Sequence, residues 1–212
     1  MLAPVRTAAP ATTPITLAEA KAHLRVTTSD DDTIIGGLVQ AATDRLDAWY
    51  GILGRALVTQ TWRVDFSEFD YADHYHLPFG PVQSVTSVAY WDVDNVDTVF
   101  SSSNYTLHHE DQGYFIRLSN SASWPSLYER VDAVRITFVA GYGAAAAVPE
   151  PIKIAIKFMV AQWYSPIRKD PTLRSETVDG VGARTYANMD TSLGAMGDVI
   201  DHLISGYRVM RV

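Results

Sequence analysis

The spacing of apolar residues changes twice along this chain, and this change constrains the fold more than any other feature. Near both ends, apolar residues recur every three or four positions, which is the period of an amphipathic helix. From residue 58 to residue 139, apolar and polar residues tend to alternate, which is the period of a half-buried strand. The sequence therefore predicts an α+β fold: a helical bundle with an inserted antiparallel, β-sandwich-like unit and a C-terminal helix and tail.

The first helical region contains two predicted helices. Thr16 and Glu19 have the spacing of a capping box, which predicts a short helix running to about Val26. A run of Ser and Asp residues then precedes a second helix. Their acidic side chains favour a helix start, because the N-terminal end of a helix dipole is positive. Gly51 and Gly54 end that helix. Its predicted buried stripe is Ile35, Leu38, Ala42, Leu46 and Trp49.

The alternating region predicts an antiparallel unit of roughly five or more strands. Turn-forming residues, mostly Pro, Gly, Asp and Asn, separate the apolar runs. Such short strands with short connections pack as a small sandwich or an open barrel. The predicted strands are residues 58–66, 82–91, 96–100, 114–118 and 131–139.

The C-terminal third returns to helical spacing. Pro149 and Pro151 bracket the start of a third helix, with a stripe of Ile152, Ala155, Ile156, Met159 and Trp163. Residues 166–189 are polar and show no sustained period, so we expect a mobile segment or one that a partner orders. A last helix with an apolar and basic tail follows and predicts a docking element. Its apolar positions are Met196, Val199, Ile200, Leu203 and Ile204.

These boundaries predict three parts. Residues 1–14, rich in Ala, Thr and Pro, form a flexible N-terminal arm. Residues 15–54 and 148–212 form the helical domain, and residues 55–147 form the inserted β unit. No apolar run is long enough for a signal peptide or a membrane span, which favours a soluble protein without a membrane partner.

Composition excludes several classes of function. The chain has no cysteine, so it has neither disulfides nor thiolate metal sites nor a cysteine nucleophile. Its formal net charge of −7 argues against a dedicated nucleic-acid binder, because such proteins neutralise phosphates with clustered Lys and Arg. Residues 27–111 are the most acidic, with fourteen Asp or Glu against three Arg. A surface that must not adhere to DNA would show such a bias.

Candidate chemistry is sparse. His74 and His76 would share one face of a strand, but a metal site needs three or four ligands and no third is evident. His108 and His109 precede a turn, where polar residues are expected. The acidic residues Asp92, Asp94 and Asp97, with Asn95, lack the glycine and terminal glutamate of a calcium loop, so they indicate a hairpin turn. We expect no enzyme activity, no catalytic residues, no metal and no cofactor.

Aromatic residues allow an alternative interpretation. They could line a face that binds sugar or a host surface, although most alternate with polar residues and are simply explained as core. The alternative function is therefore a soluble β-rich binding module; a DNA-packaging factor is a further alternative that the charge disfavours. The aromatic residues in question are Trp62, Tyr71, Tyr75, Phe79, Tyr90 and Trp91.

An ordered series of short motifs resembles the head-tail connector, or adaptor, family of long-tailed bacteriophages and gene transfer agents. The resemblance covers most of residues 14–212, and the order of the motifs is more specific than any one of them. The motifs are residues 15–26 (ITLAEAKAHLRV), 31–35 (DDTII), 54–57 (GRAL), 77–85 (LPFGPVQSV), 138–143 (FVAGYG), 148–152 (VPEPI) and 207–208 (YR).

The resemblance implies a structural role. Such adaptors form rings, usually twelvefold, that dock on the portal protein, extend the DNA channel and offer a platform to a tail-side connector or terminator protein. DNA passes through without specific binding. The expected location is the neck of a virion or phage-like particle assembled in the bacterial cytoplasm, and both an infectious phage and a gene transfer agent fit.

The resemblance also implies residue roles. The β unit would face outward or toward the tail. The helices would pack side to side in the ring through Ile35, Leu38, Trp49, Ile156 and Trp163. The C-terminal segment would reach the portal through Ile204, Tyr207, Arg208, Val209, Met210, Arg211 and Val212.

Overall fold

The computed structural model describes residues 1–68, 74–110, 113–168, 175–178, 182–185 and 189–209, with the backbone alone for residues 166–195. The chain divides into two compact units. The β unit comprises Met1–Thr12, Leu46–Val148 and Val209–Val212, and the helical unit comprises Thr13–Arg45 and Pro149–Arg208. Mixed helices and antiparallel sheets confirm the α+β prediction.

The described part of the β unit contains eight strands in two antiparallel sheets. The five-stranded sheet has the order β1-β2-β8-β4-β5, and the three-stranded sheet has the order β3-β7-β6. Buried side chains from both sheets form one apolar cluster, so the unit is sandwich-like. The strands are β1 Val5–Ala8, β2 Gln60–Phe66, β3 His74–His76, β4 Val82–Trp91, β5 Asp97–Phe100, β6 Tyr105–Glu110, β7 Gly113–Leu118 and β8 Val134–Ala140.

Strand β8 shows why this region folds as it does. Val134, Ile136, Phe138 and Ala140 are buried, and the residues between them are half-exposed, as period-two alternation requires. Strand β8 lies at the centre of its sheet, paired with β2 on one side and β4 on the other. All five predicted strands are present, and β4 has the bounds that the sequence predicted.

The helical unit contains α1 Leu17–Leu24, most of α2 Asp32–Leu46, α3 Glu150–Arg168 and α4 Met189–Ile204. The capping box of α1 is confirmed: the Thr16 hydroxyl accepts from the Glu19 N–H at 3.2 Å, and the Glu19 carboxylate accepts from the Thr16 N–H at 2.7 Å. Helix α3 packs against α1 and α4. Among the described residues, no helix is long and apolar enough to cross a bilayer.

Three regions differ from expectation. The N-terminal arm contains β1, which pairs antiparallel with β2, so Val5–Ala8 is not a free arm. Strands β3 and β6 were not predicted. Within residues 166–189, α3 extends to Arg168, and β9 Ser175–Val178 pairs with β10 Gly182–Thr185, so this segment contains regular structure.

The predicted helical stripes are buried with a few shifts. Ile152, Ala155, Ile156 and Met159 are buried in α3, together with Val160 and Tyr164. In α2, Val39 is buried where Leu38 was expected. In α4, Ile200 and Ile204 are buried, but Val199 is 47% exposed and is not a core residue.

Candidate assembly surfaces

The C-terminal segment leaves α4 through a single 3₁₀ turn, Ser205–Tyr207. Within the helical unit, Arg208 donates from Nη2 to Asp201 Oδ1 at 2.6 Å. Within the β unit, the Val209 N–H donates to the Leu53 carbonyl at 2.9 Å, which fixes the position of Val209. Predicted docking residues Met210, Arg211 and Val212 lie outside the described residues.

Ile204, Ile35 and Ile156 have no exposed surface. A side chain that is fully buried within its own subunit offers no surface to another molecule, so the contacts proposed below do not include these three residues. Periodicity shows that a helix face is apolar but does not show what covers it. Leu38, Trp49 and Trp163 are partly exposed, and Trp49 packs against the β core.

A loop of the β unit exposes large apolar side chains next to the anchored C-terminal segment. Tyr50 is 78% exposed and Ile52 is 39% exposed. Leu53, which accepts the hydrogen bond from Val209, follows them directly. The loop and Val209 therefore form one local surface with an aromatic and an aliphatic side chain in solvent; we call Tyr50, Ile52 and Val209 the tail-root surface.

The two edges of the five-stranded sheet carry most of the other exposed apolar side chains. At the β1 edge these are Met1, Leu2 and Val5, with 60%, 43% and 48% of their surface exposed. At the β5 edge and its hairpin turn they are Val93, Val96 and Val99, with 59%, 54% and 68% exposed. Apolar side chains in solvent on an edge strand are a typical mark of an interaction surface.

A buried polar network attaches β1 to the sheet. Asp47 is 6% exposed, and its carboxylate accepts from the Leu57 N–H at 2.8 Å and from Gln60 Nε2 at 2.9 and 3.0 Å. Arg6 of β1 places Nη1 3.5 Å from Asp47 Oδ2. Gln60 in turn accepts from Trp62 Nε1 at 3.1 Å. These partners, all from the β unit, stabilise the buried charge on Asp47.

The exposed side of the same sheet carries a stack of guanidinium groups on an indole ring. The Arg130 guanidinium carbon lies 4.0 Å from the Trp91 ring centroid, and that of Arg135 lies 5.0 Å from it. Arg130 also binds Asp132 through two hydrogen bonds, which lower the pKa of that carboxyl group. Arg135 pairs with Asp97 of β5. Trp91 is thus engaged within the protein.

The proposed sugar-binding aromatics do not form one surface. Trp62, Tyr75 and Phe79 are buried in the core of the β unit, and Trp91 is covered by arginine. Tyr90 is partly buried against Phe100. Tyr71 lies outside the described residues. Sequence reasoning could detect that these residues alternate with polar ones but could not show which aromatic residues stay accessible.

The candidate metal ligands are distributed over strands and a turn. His74 and His76 lie in β3 with ring centroids 5.0 Å apart, and both contact Phe115 of β7. Among the described residues no group of three or more His, Asp or Glu side chains is placed to hold a metal ion. The Asp92 carboxylate accepts from the Asp94 and Val96 N–H groups, each at 3.0 Å, and this confirms the predicted hairpin turn between β4 and β5.

Comparison with solved structures shows the same fold in particle necks. One similar chain belongs to the neck of an empty gene transfer agent particle, computed with C6 symmetry; the TM-score is 0.71 and the identity 23%, with 100% of this chain and 97% of that chain covered. Another belongs to the neck of a native particle, computed with C12 symmetry, with a TM-score of 0.69, 21% identity and the same coverage. A third comes from the virion of a native gene transfer agent, at 22% identity, a TM-score of 0.68 and the same coverage.

Sequence comparison finds a family model that matches part of the chain. No curated protein matches this sequence. Residues 14–112 match the family model described as Phage gp6-like head-tail connector protein, and this range contains the first four motifs of the ordered series. The resemblance stated from the sequence is therefore confirmed: residues 14–112 match a head-tail connector family model, and the whole chain has the fold of chains from gene transfer agent particles.

Proposed function

We propose that this protein is a structural adaptor in the neck of a phage-like particle, where it forms a ring on the portal, extends the DNA channel and offers a platform to the tail. The observation that carries this proposal is the fold match over 100% of this chain and 97% of a neck chain, together with the family match of residues 14–112. The related necks were computed with sixfold and twelvefold symmetry, which supports a ring of repeated subunits.

The portal contact in this proposal is made by the C-terminal segment. Tyr207 and Arg208 are at least partly exposed, and the segment continues beyond Val209. Anchoring of Val209 on Leu53 gives the segment a defined starting point, which lowers the entropy lost on docking. The tail-root surface adds the exposed side chains of Tyr50 and Ile52. Docking through Tyr207, Arg208 and Val209 with Met210–Val212 is thus proposed without Ile204.

The role toward DNA is passive in this proposal. A protein with a net charge of −7 repels the phosphate backbone of DNA. Release of counterions from DNA favours binding only where Lys and Arg neutralise phosphates, and an acidic protein gains little from it. DNA would therefore slide through the ring, and the protein would act without a cofactor or a catalytic step. The particle neck is the proposed location, after assembly in the bacterial cytoplasm.

Truncation tests the docking proposal. A chain ending at Gly206 loses Tyr207–Val212, and we expect it to keep its fold but lose co-sedimentation with portal rings. The matched control is Tyr128→Ala, which removes an aromatic side chain that is 43% exposed in the β unit. Circular dichroism and thermal unfolding check that both variants are folded. Undiminished portal binding by the folded truncated chain would refute docking through the C-terminal segment.

A further inference from the structure

In the part of the chain that the structure describes, the two edge strands of the five-stranded sheet have no paired strand on their outer sides. Strand β1 pairs with β2 and strand β5 pairs with β4. Within the described residues, no other backbone hydrogen bond involves Val5–Ala8 or Asp97–Phe100. Each strand has four residues, so each edge offers a row of N–H and C=O groups of the same length. Unpaired edges of this kind are templates for a further strand.

Strand directions fix how two copies could join at these edges. Every neighbouring pair in the order β1-β2-β8-β4-β5 is antiparallel, so β1 and β5 run in the same direction. In a ring of many subunits, each copy is turned by a small angle from its neighbour, roughly 30° for twelve copies. Such a turn keeps the strand direction, and β5 of one copy would therefore lie parallel to β1 of the next.

The apolar side chains at the two edges also match in position. Val5 pairs with Arg63, which pairs with Thr137 of β8. Val99 pairs with Ala89, which pairs with Arg135 of β8. Because Arg135 and Thr137 are two residues apart on one strand, Val5 and Val99 lie on the same face of the sheet. They are 48% and 68% exposed. A continuous sheet between two copies would bring these two valines together and remove both from water.

The charged side chains near the two edges differ in sign. Arg6 lies in β1, and Asp92, Asp94 and Asp97 lie in the turn before β5 and at its start. Arg6 already lies 3.5 Å from Asp47, and Asp97 already pairs with Arg135, so these charges add little to a contact between copies. The strand directions and the exposed valines therefore carry the match between the two edges.

We propose that the subunits of the ring join edge to edge, with β5 of one copy pairing parallel to β1 of the next, so that the five-stranded sheets form one continuous band. The occupant of each open edge is thus a second copy of this chain. This inference rests on the proposed function, since it presupposes a ring. The inference assigns Val5, Arg6, Asp97 and Val99 to the contact between subunits. Strand β1 can form this contact only while it is paired with β2 in the sheet.

Because the chain has no cysteine, disulfide trapping gives a direct test. The variant Val5→Cys with Val99→Cys is assembled on portal rings, oxidised and separated on a denaturing gel without reductant. A parallel contact with Val5 opposite Val99 places the two Cα atoms within the roughly 4.4–6.8 Å that a disulfide spans. We expect a ladder of covalent oligomers from the double variant and monomers from each single variant. The control pair is Val5→Cys with Ile34→Cys, at a residue that is 44% exposed in the helical unit and should give no ladder.

A charge on the edge gives a second, independent test. Val99→Lys places an ammonium group on the open strand, and we expect the protein concentration needed for half-maximal assembly to rise at least tenfold. Val131→Lys is the matched control, because Val131 is also 68% exposed but lies outside the strands, and it should leave assembly unchanged.

The outcomes separate the two proposals. Rings without a ladder from the double variant, or rings unaffected by Val99→Lys, would overturn the edge contact and leave the adaptor role standing. Dimers from Val99→Cys alone would show a twofold contact and would also overturn the edge contact. A folded wild-type protein that forms no ring with the portal would overturn both proposals.

Discussion

Replacing Asp47 with Ala should destabilise the β unit more than any other single removal of a carboxylate in the described structure. The carboxylate is buried and accepts from the Leu57 N–H and from Gln60 Nε2, and Arg6 lies 3.5 Å away. Alanine leaves two donors without an acceptor, each at a cost of about 1–3 kcal/mol, and removes the counter-charge of Arg6. Removing one partner of a buried charged pair in this way lowers the free energy of unfolding by about 3–5 kcal/mol in total.

The magnitude can be measured by urea unfolding followed through tryptophan emission. For a chain of this size, a loss of about 3 kcal/mol lowers the melting temperature by about 6–12 °C. Asp44→Ala is the control, since Asp44 is exposed and accepts from Gln40 Nε2 at 2.9 Å, a contact worth about 0.5 kcal/mol or less. Arg6→Ala should fall between them, at about 1 kcal/mol or less, because its ion pair is partly exposed. Equal stabilities of the Asp47 and Asp44 variants would refute this account of how β1 is held.

Three further predictions concern helix capping and titration. Thr16→Ala should lower the free energy of unfolding in urea by about 1 kcal/mol. Hydrogen bonds from Thr16 hold the pKa of Glu19 below its usual value, so the same substitution should raise that pKa. In the wild type, the stability that this pair contributes is present above the ordinary Glu pKa and is lost as the pH falls. Arg130→Gln should raise the pKa of Asp132, which the hydrogen bonds from Arg130 lower, and carbon NMR of the carboxyl group measures this directly; an unchanged pKa would contradict the assignment. Burial lowers the pKa of His23, so the folded state should lose stability as the pH falls from 7 to 5, and His23→Phe should reduce that loss; equal pH profiles would contradict the prediction.

Strong periodicity made most of the β unit predictable from the sequence. Strand β4 was predicted with its observed bounds because turn-forming residues stand at both of its ends. Strand β1 was missed because Val5–Ala8 has no apolar alternation, and its position depends on Asp47 and Gln60, which follow some forty residues or more later in the chain. Strand β3 has three residues with one buried side chain, Tyr75, and such a segment is too short to show a period.

The assembly surfaces were less predictable than the fold. An apolar helix stripe has the same pattern whether its own subunit or a neighbour covers it, and this is why Ile35, Ile156 and Ile204 were assigned to contacts when they belong to the core. The exposed valines Val99 and Val5 could not be recognised from the sequence as a matching pair, because their shared face depends on the strand order of the sheet. Local sequence patterns predict individual helices and strands, whereas the strand order of the folded sheet decides which strands lie at its edges.

In the proposed function, this chain is a ring subunit that binds a portal. The most direct measurement is the mass by light scattering of the purified protein, first alone and then mixed with the portal protein of the same particle. The account predicts a large complex of fixed stoichiometry in the mixture, with many copies of this chain per portal ring. A folded protein that keeps the mass of a single chain in both samples would contradict it.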